Sequence, residues 1–83
     1  MMTLKQHLME KGLTEKEAIE TMESEGICWE KSQNQEIVPI GTCKDGNERA
    51  TVYSLPENDG FFYIDASAGD IVEEGLPEDF KEN

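Results

Sequence analysis

The sequence predicts an α+β fold: two short N-terminal helices packed on one face of a four- to five-stranded antiparallel meander sheet. Three observations carry this expectation. Apolar residues recur at helical spacing up to Gly26 and alternate in twos beyond it. Thr14-Glu15-Lys16-Glu17 is a capping box, the signature of a helix start. Asp45-Gly46 is a hairpin turn signal, and turn-forming clusters follow at 56–60 and 66–69.

The elements follow in order. Thr3 is placed to cap a first helix over about 4–11, with Leu4 and Leu8 on one face and Gly12 as its left-handed stop. His7, the only histidine, reads as a solvent-facing residue of that helix. The second helix runs from the Thr14 cap to about Glu25, and Gly26 ends it. Ala18, Ile19 and Met22 share its apolar side, while Glu17, Glu20 and Glu23 lie toward water. Ile27, Trp29 and Lys31 then alternate with Cys28 and Glu30, which predicts a strand with Trp29 largely buried. A polar loop, 32–35, leads to a second strand over 36–44. Pro39 has no amide hydrogen to donate, so it marks an edge or a bulge there. Residues 48–55 return, with Ala50 and Val52 on one side and Thr51, Tyr53 and Leu55 on the other. Phe61–Asp65 is the most β-prone run, and 70–73 closes the meander. Gly75 and Pro77 end the ordered part. Residues 1–77 are thus expected to form one domain, and 78–83 a flexible acidic tail.

Eighty-three residues make one small domain with a thin stability margin. The net charge is −12, and it is unevenly spread. Residues 57–83 hold nine acids and a single base, Lys81, for a net of −8. The first 56 residues hold ten acids and six bases. Such a charge repels phosphates, so direct binding of nucleic acid or an anionic membrane is not expected. It also argues against reading the two helices as helix-turn-helix: residues 15–25 offer five glutamates and one lysine, where a groove-reading helix needs Arg, Lys, Asn or Gln.

The pattern excludes several chemistries. No apolar run has the length of a signal peptide core or a membrane span, which predicts a cytoplasmic protein. Cys28 and Cys43 are too few and too far apart for a zinc site. They read as small buried or half-buried apolar residues, with a disulfide between neighbouring strands as the alternative. Neither a nucleophile elbow, a phosphate loop nor a dinucleotide fingerprint is present, so a non-enzymatic protein without a cofactor is expected. Asp65-x-Ser67-x-Gly69-Asp70 has the start of a calcium loop, but its sixth position is Asp70 and its twelfth is Leu76, where Gly and Glu are required. A tight turn between strands accounts for the same residues.

Thr14-Glu15-Lys16-Glu17-Ala18-Ile19, taken with Phe62-Tyr63-Ile64-Asp65-Ala66-Ser67-Ala68-Gly69-Asp70-Ile71-Val72, resembles the helix start and final hairpin of PepSY-type domains. Those are small α+β modules associated with peptidase inhibition or regulation. The resemblance covers under a quarter of the chain and carries over no functional residue; we read it as shared turn chemistry.

The acids of the last third remain. Carboxylates on adjacent strands stand roughly 5 to 8 Å apart, a scale comparable to phosphates along a nucleic-acid strand. The expected function is therefore a non-enzymatic inhibitor or regulator that binds a basic, nucleic-acid-binding protein. Its expected contact face comprises Glu57, Asp59, Asp65, Asp70, Glu73, Glu74, Glu78 and Asp79. In charge and size alone the chain is similar to phage-carried nucleic-acid mimics such as uracil-DNA glycosylase inhibitors and anti-CRISPR proteins. The alternative is a general interaction or PepSY-like module whose acidity serves only solubility.

Overall fold

A computed structural model describes every residue except Met1, Asn34, Asp59, Ser67, Ala68, Glu73 and Glu74. Helices α1 (Leu4–Glu10) and α2 (Glu15–Ser24) begin at reciprocal caps. The Thr3 and Thr14 hydroxyls accept from the amides of Gln6 and Glu17, whose side chains accept from the Thr3 and Thr14 amides in return. Gly12 (φ 106°) stands after the first helix in a conformation that costs glycine nothing. A cap is worth about 1 kcal/mol, whereas burying a Leu or Met side chain is worth about 1.5–3 kcal/mol. The caps therefore set where the helices begin, and Leu4, Leu8 and Met22, all almost fully buried, hold them to the sheet.

Strands β1 (Val38–Asp45), β2 (Glu48–Ser54), β3 (Phe62–Asp65) and β4 (Asp70–Val72) form the expected meander. A fifth, β5 (Lys81–Glu82), joins the outer side of β1, giving the antiparallel order β4-β3-β2-β1-β5. Pairing steps from Pro39↔Tyr53 to Gly41↔Val52, so Ile40 is the extra residue of a bulge, one of the two arrangements that Pro39 allows. Side chains alternate faces along each strand and divide the core in two. On the helix-bearing face, Tyr63 and Leu55, with half-buried Tyr53 and Ile71, pack against Leu4, Leu8, Ala18 and Met22. On the opposite face, Cys43, Ala50 and Val52 join Ala66, flanked by half-buried Ile40, Phe62, Ile64 and Phe80.

Two expectations are corrected. Residues 27–31 do not form a strand; Trp29–Ser32 is a short helical turn, α3, and Trp29 is half-buried rather than largely buried. The cause is a polar network across the chain. The amides of Lys31 and Ser32 and the Ser32 hydroxyl all donate to the Cys28 carbonyl. Asn58, itself buried, accepts from the Cys28 amide at 3.1 Å and donates to the Ser32 hydroxyl at 3.0 Å. Backbone groups that a strand needs for pairing are thereby committed. The second correction concerns residues 78–83, read from sequence as a tail outside the domain. The structure places them on the sheet. Gly41 pairs with Glu82 and Thr42 with Lys81, the Asn83 amide donates to the Ile40 carbonyl, and Phe80 packs on the second core cluster.

Candidate functional site

Helical spacing puts Leu4, His7, Leu8 and Lys11 on the side of α1 that meets the sheet. His7 is therefore buried, against the expectation of a solvent-facing residue. Its ring lies 5.0 Å from that of Tyr63, edge-on, and 5.3 Å from that of Tyr53. Nδ1 is 3.1 Å from the Met2 sulfur, and Nε2 is 3.3 Å from Asp65 Oδ1. The Lys11 ammonium reaches the same Asp65 oxygen at 2.6 Å and donates to the Ala66 carbonyl. Partial burial pushes Asp65 up, but the hydrogen bonds and charges of Lys11 and His7 outweigh it and hold the carboxyl below its usual range. The i, i+3, i+4, i+7 series was the signal in the sequence; the polarity of His7 hid it.

This cluster joins a histidine, a lysine and an aspartate through contacts internal to the fold. A general base must offer a ring nitrogen to a substrate. Both nitrogens of His7 are engaged within the fold. A groove of about 250 Å³, lined by Met2, His7, Ile37, Pro39 and Tyr53, opens beside it, with mainly apolar walls. Replacing Asp65 with Asn is expected to cost about 1–2 kcal/mol at neutral pH, the value of a charge-assisted hydrogen bond discounted for partial exposure. A carboxyl held low stabilises the fold above its unfolded value, and the contribution is lost as pH falls through the folded value. Urea titrations of Asp65→Asn should therefore begin to converge on those of the parent chain below about pH 4, and meet only at lower pH still. An unchanged midpoint at neutral pH would remove the ion pair from the account.

The other expected contact residues are distributed as follows. Asp79 faces Arg49, its carboxylate 3.6 Å from Nη1, and accepts from the Lys44 amide; it fastens the C-terminal segment to the β1–β2 hairpin. Asp70 is exposed at the start of β4, Glu57 is exposed in the β2–β3 connection, and Glu78 is exposed ahead of β5. Asp70 thus stands on the edge strand β4, whereas Asp79 lies two residues ahead of β5, the strand at the other edge of the sheet. Asp59, Glu73 and Glu74 lie outside the described residues, as does Ser67 of the turn. Asp65 and Asp79 are drawn into internal pairs, whereas Glu57, Asp70 and Glu78 face water.

Glu17, Glu20 and Glu23 are all exposed on α2, and the hydrogen bonds from Thr14 hold the Glu17 carboxyl below its usual range. Both cysteines are free thiols. Cys43 is buried, which pushes its thiol up, whereas Cys28 is exposed, contrary to expectation. Among the described residues no group of three or more His, Cys, Asp or Glu side chains is placed to hold a metal ion. No helix among them is long and apolar enough to cross a membrane. Comparison of the chain with known protein families, with curated proteins and with solved structures finds no match.

Proposed function

We propose that the chain is a non-enzymatic inhibitor or regulator that binds a basic, nucleic-acid-binding protein, in the manner of the phage-carried nucleic-acid mimics it matches in charge and size. The observation that carries this reading is where the few bases go. Lys5 pairs with Glu15, Lys11 with Asp65 and Arg49 with Asp79, so three of the seven bases are spent on internal pairing of a chain that carries −12. The remaining acids outnumber the bases left to balance them severalfold. Like charges at this density oppose folding, and at 0.1 M salt only those more than about 10 Å apart are largely screened. A basic partner relieves that repulsion, and attraction of opposite fields speeds the encounter.

The test is capture of basic proteins from native lysate at low and at high salt, followed by a DNA- and RNA-binding assay of each captured protein with the chain added in equimolar amount. The expected result is capture that weakens as salt rises, and loss of nucleic-acid binding by the captured protein. Capture indifferent to salt, or a captured protein that still binds nucleic acid normally, would leave acidity as a solubility device.

A further inference from the structure

Two chain segments bond to β1 on either side of Pro39. The Ile37 amide donates to the Met2 carbonyl, and the Asn83 amide donates to the Ile40 carbonyl. Pro39 between them is exposed and has no amide hydrogen, so it offers a further strand no donor. What this point of the sheet offers is side-chain room. The groove of about 250 Å³ lies here, walled by Met2, His7, Ile37, Pro39 and Tyr53. It falls below the ~300–1,000 Å³ of sites that take a small molecule whole, and it suits one long side chain. Ile37 and Pro39 supply aliphatic surface, Met2 a thioether and Tyr53 a half-buried aromatic ring. Both ring nitrogens of His7 are already turned to Met2 and Asp65. The field at this wall is negative. Burial pushes the Tyr53 phenol up, the Asp65 charge pushes it further, and Lys11 opposes by less.

We infer that this groove is the anchor site for an arginine side chain of the basic partner, whose stem lies along Met2, Ile37 and Pro39 and whose guanidinium lies against the Tyr53 ring. The inference rests on the reading above that the partner is basic. Three features select arginine. Its methylene stem covers apolar walls while its head stays charged. Its planar guanidinium is weakly hydrated and stacks on an aromatic face, which a compact, strongly hydrated ammonium does less well. Its charge complements both the local field and the net −12 of the chain. An uncharged apolar side chain would meet the same walls but leave that field unused. A second copy of the chain would bring −12 against −12, and like charges across an interface oppose association.

Two end-capped tripeptides serve as probes, Gly-Arg-Gly and Gly-norleucine-Gly, which share an unbranched apolar stem and differ in charge. Each is titrated into the isotope-labelled full chain, and the amide shifts are mapped by NMR. The arginine peptide is expected to move the amides of His7, Ile37 and Tyr53 along a saturating curve. It should bind about fivefold more tightly than the norleucine peptide, since a cation on an aromatic face is worth a factor of that order. Tyr53→Leu keeps an apolar wall and should bring the two peptides within about twofold of each other. A readout that needs no substitution is the set of nuclear Overhauser contacts from the arginine methylenes to the Met2 methyl and the Tyr53 ring in the parent chain; their absence at saturation would overturn the anchor. Equal binding of the two peptides at the groove would make the occupant an apolar side chain instead. Arginine shifts scattered over the acidic surface, or centred on Glu20 and Glu23 of α2, would overturn the groove and leave the basic-partner reading intact. Failure of both tripeptides and of an eight-residue Arg-Gly repeat to bind at all would end both readings. Groove amides that shift with the concentration of the free chain would put a second copy there.

Discussion

Tyr63→Ala is expected to cost about 3–5 kcal/mol, enough to unfold a domain of this size, while Tyr63→Phe should be neutral or stabilising by up to about 1 kcal/mol. Tyr63 is the largest fully buried side chain, with no measurable exposure. It sits in the third strand under α1 and supports the edge of the His7 ring. Truncation would open a cavity at the centre of the larger core cluster. The hydroxyl is another matter. It is buried and makes no hydrogen bond among the described residues, and it crowds Gly69, where an added Cβ would lie 3.1 Å away. Removing it forfeits no partner among the described residues and relieves a desolvated dipole. Burial, reinforced by the charges of Asp65, Tyr53 and Asp70, pushes the phenol well above its ordinary range. A phenol raised in the folded state lends stability below its unfolded value, about pH 10, that is lost as pH climbs beyond it. Tyr63→Phe should therefore flatten the alkaline limb of the stability profile. A clear loss of stability in Tyr63→Phe at neutral pH, measured by urea denaturation, would mean that the hydroxyl has a partner.

Gly41→Ala is expected to destabilise by about 2–3 kcal/mol, through overpacking at a strand crossing. The reason is close approach, since the backbone of Gly41 is ordinary. A Cβ there would overlap the Lys81 carbonyl oxygen and stand 2.5 and 2.6 Å from two atoms of the Phe80 ring. Rotation of the ring can relieve the second contact. The first is backbone against backbone, and only departure of the C-terminal segment relieves it. That departure would expose Phe80 and release the Asp79 carboxylate from Arg49 and from the Lys44 amide. The melting temperature should fall by roughly 10 °C, and the amides of the last residues should exchange faster. Because backbone is the obstacle, Gly41→Ala should remain costly in a Phe80→Ala background. Full rescue there would place the clash in the ring.

Both substitutions touch contacts between residues distant in the chain, and that marks the limit of what the sequence alone determines. The helix starts at Thr3 and Thr14, the glycine stops, the Asp45-Gly46 hairpin, the alternation of β2 and β3 and the bulge at Pro39 were all legible. Each depends on groups within a few residues, where bonding and sterics leave few choices. The net charge was legible too, since it requires no geometry. Propensity alone offers a strand over 27–31, but Asn58, thirty residues on, takes the Cys28 amide and fixes a turn there. The polarity of His7 points it to solvent although the helical series points it inward, and only the sheet beneath α1 supplies Asp65 and two tyrosine rings to receive it. The acids near the C-terminus were grouped by their nearness in sequence, but strand order carries Asp70 and Asp79 to opposite edges and turns Asp65 inward to Lys11. Sequence fixes how much charge the chain carries; which face presents it depends on register, because a single residue along a strand moves a side chain to the other side of the sheet.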